Sequence, residues 1–239
     1  MIQHADHPLH PAGNPPALGP AWAGGGVFLA LVTDLSDPAS LGRVKVVPQA
    51  TQGAAGQDIA LWASVVSGFA GDQRGAWWIP DVGDLVVIAF VQGDARLPVV
   101  LGGVWHGQAT PPEAMDGNGA NHLKVIRSRN GVKITMDDLS GQERIRLETP
   151  GGQSLTLQDG PGRCTVSDSS GNTVTMEASG ITIEASAKVT VNAPSVEVNT
   201  ASVRVNAAMS QFSGVVRCDT LISNAVVSSA YTPGAGNIW

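Results

Sequence analysis

Apolar residues recur in two different patterns along the chain. Between Val27 and Val104 they form short runs: Val27–Val32, Arg43–Val47, Ile59–Val66, Leu85–Val91 and Pro98–Val104. Turn signals separate them, among them Asp37-Pro38, Pro80-Asp-Val-Gly-Asp84 and Gln92-Gly-Asp94. Five strands in about eighty residues predict a small β-barrel, which removes most exposed sheet edges and has room to bury Trp62, Trp77 and Phe90. Farther on the pattern becomes a rhythm of apolar–x–apolar dyads. They fall at Ile145/Leu147, Leu155/Leu157, Cys164/Val166, Val174/Met176, Ile181/Ile183, Val189/Val191, Val196/Val198 and Val203/Val205, with starts 10, 9, 10, 7, 8, 7 and 7 residues apart. A seven-residue period invites a coiled coil, but that seam needs apolar positions three and four apart. Here they are two apart and rich in Val and Ile, so each dyad is a short strand with both members on one face.

Composition separates the same two regions. The chain has 239 residues with 29 Gly and 15 Pro, only 14% charged and 5% aromatic, which suits many short strands and tight turns rather than a helical bundle. Eight aromatics precede residue 150, and only Phe212, Tyr231 and Trp239 follow it. The dyad region therefore cannot be held by an aromatic core. Repeats of seven to ten residues supply one strand and one bend each, whereas single-chain solenoids use coils of twenty or more. Three chains wound together, each giving one face per repeat, resolve this. The inward residues are then Ile145, Leu147, Leu155, Leu157, Val166, Val174, Met176, Ile181, Ile183, Val189, Val191, Val196, Val198, Val203 and Val205, with Cys164 as a small buried hydrophobe. The expected organisation is an all-β chain: an arm at 1–24, a barrel at 25–109, a neck at 110–130, a trimeric β-helix shaft at 131–228 and a tip at 229–239.

Four fragments in order are more specific than the pattern: Gly42-Arg-Val-Lys-Val46, Trp62-Ala-Ser-Val65, Gly75-Ala-Trp-Trp-Ile-Pro-Asp-Val-Gly-Asp84 and Gly93-Asp-Ala-Arg-Leu-Pro-Val-Val-Leu-Gly102. Together they resemble the OB domain of contractile-tail spikes, phage baseplate assembly protein V and the VgrG proteins of type VI secretion. Asp81 stands where that family commonly has Glu. The resemblance implies an OB-fold barrel above an intertwined trimeric β-helix, a β-prism needle that pierces a target envelope mechanically when a sheath contracts. It further implies a homotrimer, a separate hub protein at the N-terminal and OB end, a PAAR-type tip protein at the other end, transient contact with the target membrane, and assembly in the cytoplasm of the producing bacterium. Tyr231, Pro233, Ile238 and Trp239 are the candidate tip-docking residues.

The candidate chemistry narrows the reading rather than extending it. In the barrel, Pro80, Gly83, Asp84, Gly93 and Asp94 have turn-building roles, with Arg96 placed to pair with an aspartate. Four basic residues (Arg43, Lys45, Arg74, Arg96) face seven aspartates between 25 and 109, and the chain carries a net charge of −6, which argues against nucleic acid as a partner. Asp137-Asp138 reads as a turn, and His4, His7 and His10 have no acidic or thiol partner beside them. The expectation is no catalytic residue, no cofactor and no metal, because nucleophile, phosphate-loop and Cys–His ligand motifs are missing from the sequence. A β-solenoid adhesin or a polysaccharide-degrading tailspike is the alternative. Glu177, Glu184 and Glu197 would be its acids, but no aromatic sugar platform stands beside them.

Overall fold

The computed structural model describes residues 26–51 and 59–229. The arm at 1–24 and the tip residues Tyr231, Pro233, Ile238 and Trp239 lie outside them. The chain divides after Lys188 into two units, each considered by itself.

The first unit opens with the barrel. Its wall is made of β1 (Val27–Asp34), β2 (Val44–Pro48), β3 (Leu61–Val65), β6 (Leu85–Phe90) and β7 (Pro98–Gly103), closed in the order β1-β2-β3-β7-β6. A two-residue hairpin, β4 (Ala70–Gly71) with β5 (Arg74–Gly75), projects between β3 and β6. All wall pairs are antiparallel except β3 with β7. Register shifts at Val32/Asp34 and at Val87/Ile88 supply the extra curvature that closure needs.

The interior is aliphatic. Alternate residues of each strand point inward, and Ala30, Val32, Val44, Val46, Ala63, Val86, Ile88 and Val100 are fully buried. Phe28 and Phe90 pack against this cluster from its margin, with ring centroids 5.7 Å apart. The expectation of a buried Trp77 is wrong: its indole is 75% exposed. Trp62 sits on the outer wall, partly buried, with Lys45 and Arg43 over its ring at 5.6 and 5.9 Å. Five short strands enclose too little space for indoles, and β-branched aliphatic side chains fill it.

The turns are fastened by carboxylates. Asp37, with a side chain only 4% exposed, accepts the backbone N–H groups of Ala39, Leu41 and Arg43 and pairs with the Arg43 guanidinium at 2.7 Å. The Arg43 side chain foremost, with these N–H groups, holds the Asp37 carboxyl far below the usual carboxylate range against the opposing effect of burial. After Pro80, Asp84 accepts the Asp81 N–H at 2.8 Å, and Gly83, at φ +96°, donates to the Val32 carbonyl at 2.9 Å. Between β6 and β7, Gly93 takes φ +74° and Arg96 forks onto the Asp94 carboxylate, whose Oδ1 also accepts the Arg96 N–H.

The rest of the first unit is a seven-stranded antiparallel meander: β8 (Leu123–Arg127), β9 (Lys133–Asp137), β10 (Arg144–Glu148), β11 (Ser154–Gln158), β12 (Arg163–Ser167), β13 (Thr173–Glu177) and β14 (Gly180–Glu184). It begins at Leu123, inside the stretch that the sequence assigns to the neck. One device folds it. Gly131, Gly141, Gly152, Gly162 and Gly171 each occupy the left-handed region, with φ between +60° and +90°, in five successive turns. A backbone bond across three residues, such as Gly152 N–H to Thr149 O at 3.0 Å, tightens these turns. From Val189 to Ser229 the second unit has no strand among the described residues, and Gly214 is its only glycine there. This segment lacks the left-handed glycine that reverses the chain in those five turns of the meander.

Because the Asp37 carboxyl is held low, its contribution is complete above the ordinary value of 3.8 and is lost progressively below it. Thermal melts of Asp37→Asn should show the barrel destabilised by ~2 kcal/mol at neutral pH and a shallower loss of stability in acid. An acid limb as steep as that of the parent would contradict this role.

Candidate functional site

The register of the meander converts the sequence dyads into two continuous columns on one face. In the first column Ile126 lies opposite Ile134, then Leu147, Leu155, Val166, Val174 and Ile183 follow strand by strand. In the second, Met136, Ile145, Leu157, Cys164, Met176 and Ile181 follow below Lys124. Leu155, Cys164 and Val174 are half-buried by their neighbours, while Leu157 is 45% and Ile181 70% exposed. A single chain leaves this face open to water.

The opposite face is polar. Thr135, Arg146, Thr156, Thr165, Thr175 and Thr182 form its central column. Beside it run the pairs Arg144–Asp137 at 2.9 Å, Arg163–Glu177 at 2.8 Å and Ser154–Ser167 at 2.8 Å. One wet and one dry face is the ordinary state of an antiparallel sheet, and here the dry face has no cover. In the second unit Val189, Val191, Val196, Val198, Val203 and Val205 are each 60% exposed or more.

The neck is pinned to the polar face. His122 Nδ1 meets Asp137 Oδ1 at 2.7 Å, and Lys133 pairs with Glu113. The His122 hydrogen bond foremost, with the Leu139 N–H and the Arg144 charge, holds Asp137 below the usual carboxylate range although burial opposes it. Asp137 is thus the buried last residue of β9, not the turn carboxylate its neighbour Asp138 suggested; its main partner lies fifteen residues away, beyond any local motif. Arg129, in the turn between β8 and β9, reaches back to Asp81 of the barrel at 2.9 Å. Among the described residues no group of three or more His, Cys, Asp or Glu is placed to hold a metal ion.

Two family profiles match the chain. Residues 28–105, the barrel, match the type VI secretion system/phage-baseplate injector OB domain. Residues 144–207, from the start of β10 into the second unit, match the phage baseplate V C-terminal trimerisation domain. The chain belongs to the phage baseplate V/VgrG spike family. The spike relatives include the type VI secretion system spike protein VgrG3 of Vibrio cholerae, 29% identical over 45% of this chain and 11% of its own length. The actin cross-linking toxin VgrG1 of the same species is 28% identical over 44% and 10%, and the spike protein VgrG1b of Pseudomonas aeruginosa 26% over 43% and 15%. The chain thus spans 10–15% of the length of these spike proteins. The trimerisation match covers β10–β14, five of the seven strands that carry the exposed columns.

Adjacent residues of β11 separate the two faces experimentally. Leu157→Glu places a carboxylate in the dry column and should cost on the order of 3 kcal/mol per chain, enough to dissociate the trimer in native mass spectrometry. Thr156→Glu, on the wet face, should leave the trimer intact. The reverse outcome would mean that the other face is the interface.

Proposed function

We propose that the chain is the homotrimeric central spike of a contractile injection machine, a phage tail baseplate or a phage-like particle, and that it pierces the target envelope mechanically. The observation that carries this reading is the pair of uncovered apolar columns on β10–β14, lying within a stretch that matches a trimerisation domain. Three such sheets turned inward form a three-sided prism with a dry interior. Their Thr, Arg and Glu faces then form the outside. Beyond Glu184 the dyads of the second unit continue the same apolar pattern, and strands from three chains pair with one another where no chain can pair with itself. That winding satisfies the backbone groups of 189–228.

A needle of this kind suits axial load. Every strand crosses the axis and is bonded above and below, so force is spread over many backbone bonds and a continuous apolar core. Thr182, Thr190, Asn192, Glu197 and Arg204 between the inward positions give a polar shaft that passes through a bilayer without residing in it. The OB end docks on a separate hub protein. The segment 229–239, with Tyr231, Pro233, Ile238 and Trp239, receives a PAAR-type tip protein. Particle assembly in the producing cytoplasm and a mechanical, non-enzymatic role complete the reading.

Deletion of the gene in a producing strain tests it. Contractile particles should then fail to assemble or to penetrate target cells; the parent chain should restore both, and Leu157→Glu should not. Fully assembled, penetrating particles without the chain would refute the proposal. Threefold density for the chain at the distal end of the tube in cryo-EM would support it directly.

A further inference from the structure

Phe69, Trp77 and Trp78 form an aromatic ledge on the barrel, around the β4–β5 hairpin. In a single chain they are 63%, 75% and 66% exposed, although large aromatics are seldom left so open. The ledge is held in shape by its surroundings. Trp77 lies over Gly42, where a Cβ would come within 2.8 Å of its ring. The Ser67 hydroxyl is 2.8 Å from the carbonyls of Phe69 and Ala76, and the Ala76 N–H donates to the Phe69 carbonyl at 3.2 Å. Beside the aromatics opens a recess of about 600 Å³, lined by Leu41, Val65 and Ile79 and by the polar Ser64, Gln73 and Arg74 among others.

Exposed aromatic faces beside an apolar recess, with indole N–H donors at their rim, have the chemistry that recognises proline-rich peptide. Proline rings pack against the aromatic faces, and the ligand's free carbonyls accept from indole N–H groups. The cost of ordering such a ligand is small, because proline already restricts its backbone. Single-stranded nucleic acid also stacks on aromatics, but it needs a basic groove. Arg74 is the only Lys or Arg among the residues that line this recess.

The chain itself contains such a ligand. Residues 1–25 precede the described part of the barrel. Within them Pro8, Pro11, Pro15, Pro16 and Pro20 place five of the chain's 15 prolines in thirteen residues, beginning with Pro8-Leu-His-Pro11. Two prolines three apart share one edge of a polyproline II helix, the spacing that aromatic grooves select. Residues 8–20 include no Asp, Glu, Lys or Arg, so no formal charge has to be desolvated against the indoles. The reach is also sufficient. β1 begins at Val27, and its other end, Asp34, lies opposite Lys45, close along the chain to the Gly42 that Trp77 covers. The ledge therefore stands at the far end of β1 from the point where residues 1–25 join the barrel, about 25 Å away at the usual rise of a strand. The fifteen residues from Pro11 to Gly25 span up to about 45 Å when extended as polyproline II. We propose that the Phe69–Trp77–Trp78 ledge is a binding site for proline-rich peptide, and that its occupant is this chain's own stretch Pro8–Pro20. Docked there, the stretch covers the indoles that the barrel core is too narrow to take. The contact does not depend on the trimeric reading of the shaft.

Photo-cross-linking of the purified full chain tests it. Benzoylphenylalanine replaces Trp78, and the cross-linked peptides are mapped by mass spectrometry. Cross-links should fall on residues 8–20 and be lost when Pro8→Ala, Pro11→Ala, Pro15→Ala and Pro16→Ala are combined. Hydrogen exchange reads the same contact with the ledge intact. In the otherwise parental chain the four proline changes should speed exchange of the Phe69–Trp78 amides several-fold and leave β1, β2 and β3 protected. Cross-links that fall elsewhere or do not form, or ledge exchange that the proline changes leave as it was, would overturn the site's occupant. Cross-linking of added oligothymidylate in place of residues 8–20 would overturn the ligand class as well.

Discussion

An antiparallel sheet with one apolar face is stable in water only when that face is covered, and the architecture of this chain follows from that requirement. Seven strands present two columns of Ile, Leu, Val, Met and Cys, the second beginning below Lys124, and among the described residues the face they form is left partly exposed. The polar face is well provided for, with ion pairs along its length and the neck fastened across its upper end by His122–Asp137 and Glu113–Lys133. The apolar face is the one that a single chain leaves exposed, and the proposed trimer turns it inward.

Two folding devices follow one another along the sequence. Up to Gly171 each turn contains a left-handed glycine, which lets a strand reverse and pair with its predecessor, so this stretch builds a sheet from a single chain. After Gly180 the dyads persist, no glycine follows until Gly214, and the spacing shortens to seven or eight residues. In the proposed spike these strands find their partners on the other two chains.

Much of this was legible in the sequence because periodicity and turn chemistry are local. The five barrel strands, the turn roles of Gly83, Asp84, Gly93 and Asp94, and the period-two dyads are all written within a few residues of one another. The division of the repeat after Glu184 was legible too, in the placement of glycines, but a uniform dyad pattern hides it from a reading of apolar positions alone. Other features depend on distance. Nothing near Asp137 announces His122, and nothing near Trp77 says that a five-stranded barrel is too narrow to accept an indole. The aromatic richness of the first part of the chain is real, but it belongs mostly to the barrel's surface and not to its core.

The open columns, within a stretch that matches a trimerisation domain, give the molecule a single logic, in which the chain is one third of its own fold. The most direct test is the mass of the purified intact chain by light scattering. The account predicts a monodisperse particle of about 73.5 kDa, three chains of 24.5 kDa. A monodisperse particle of 24.5 kDa, stable with its apolar columns open to water, would contradict it.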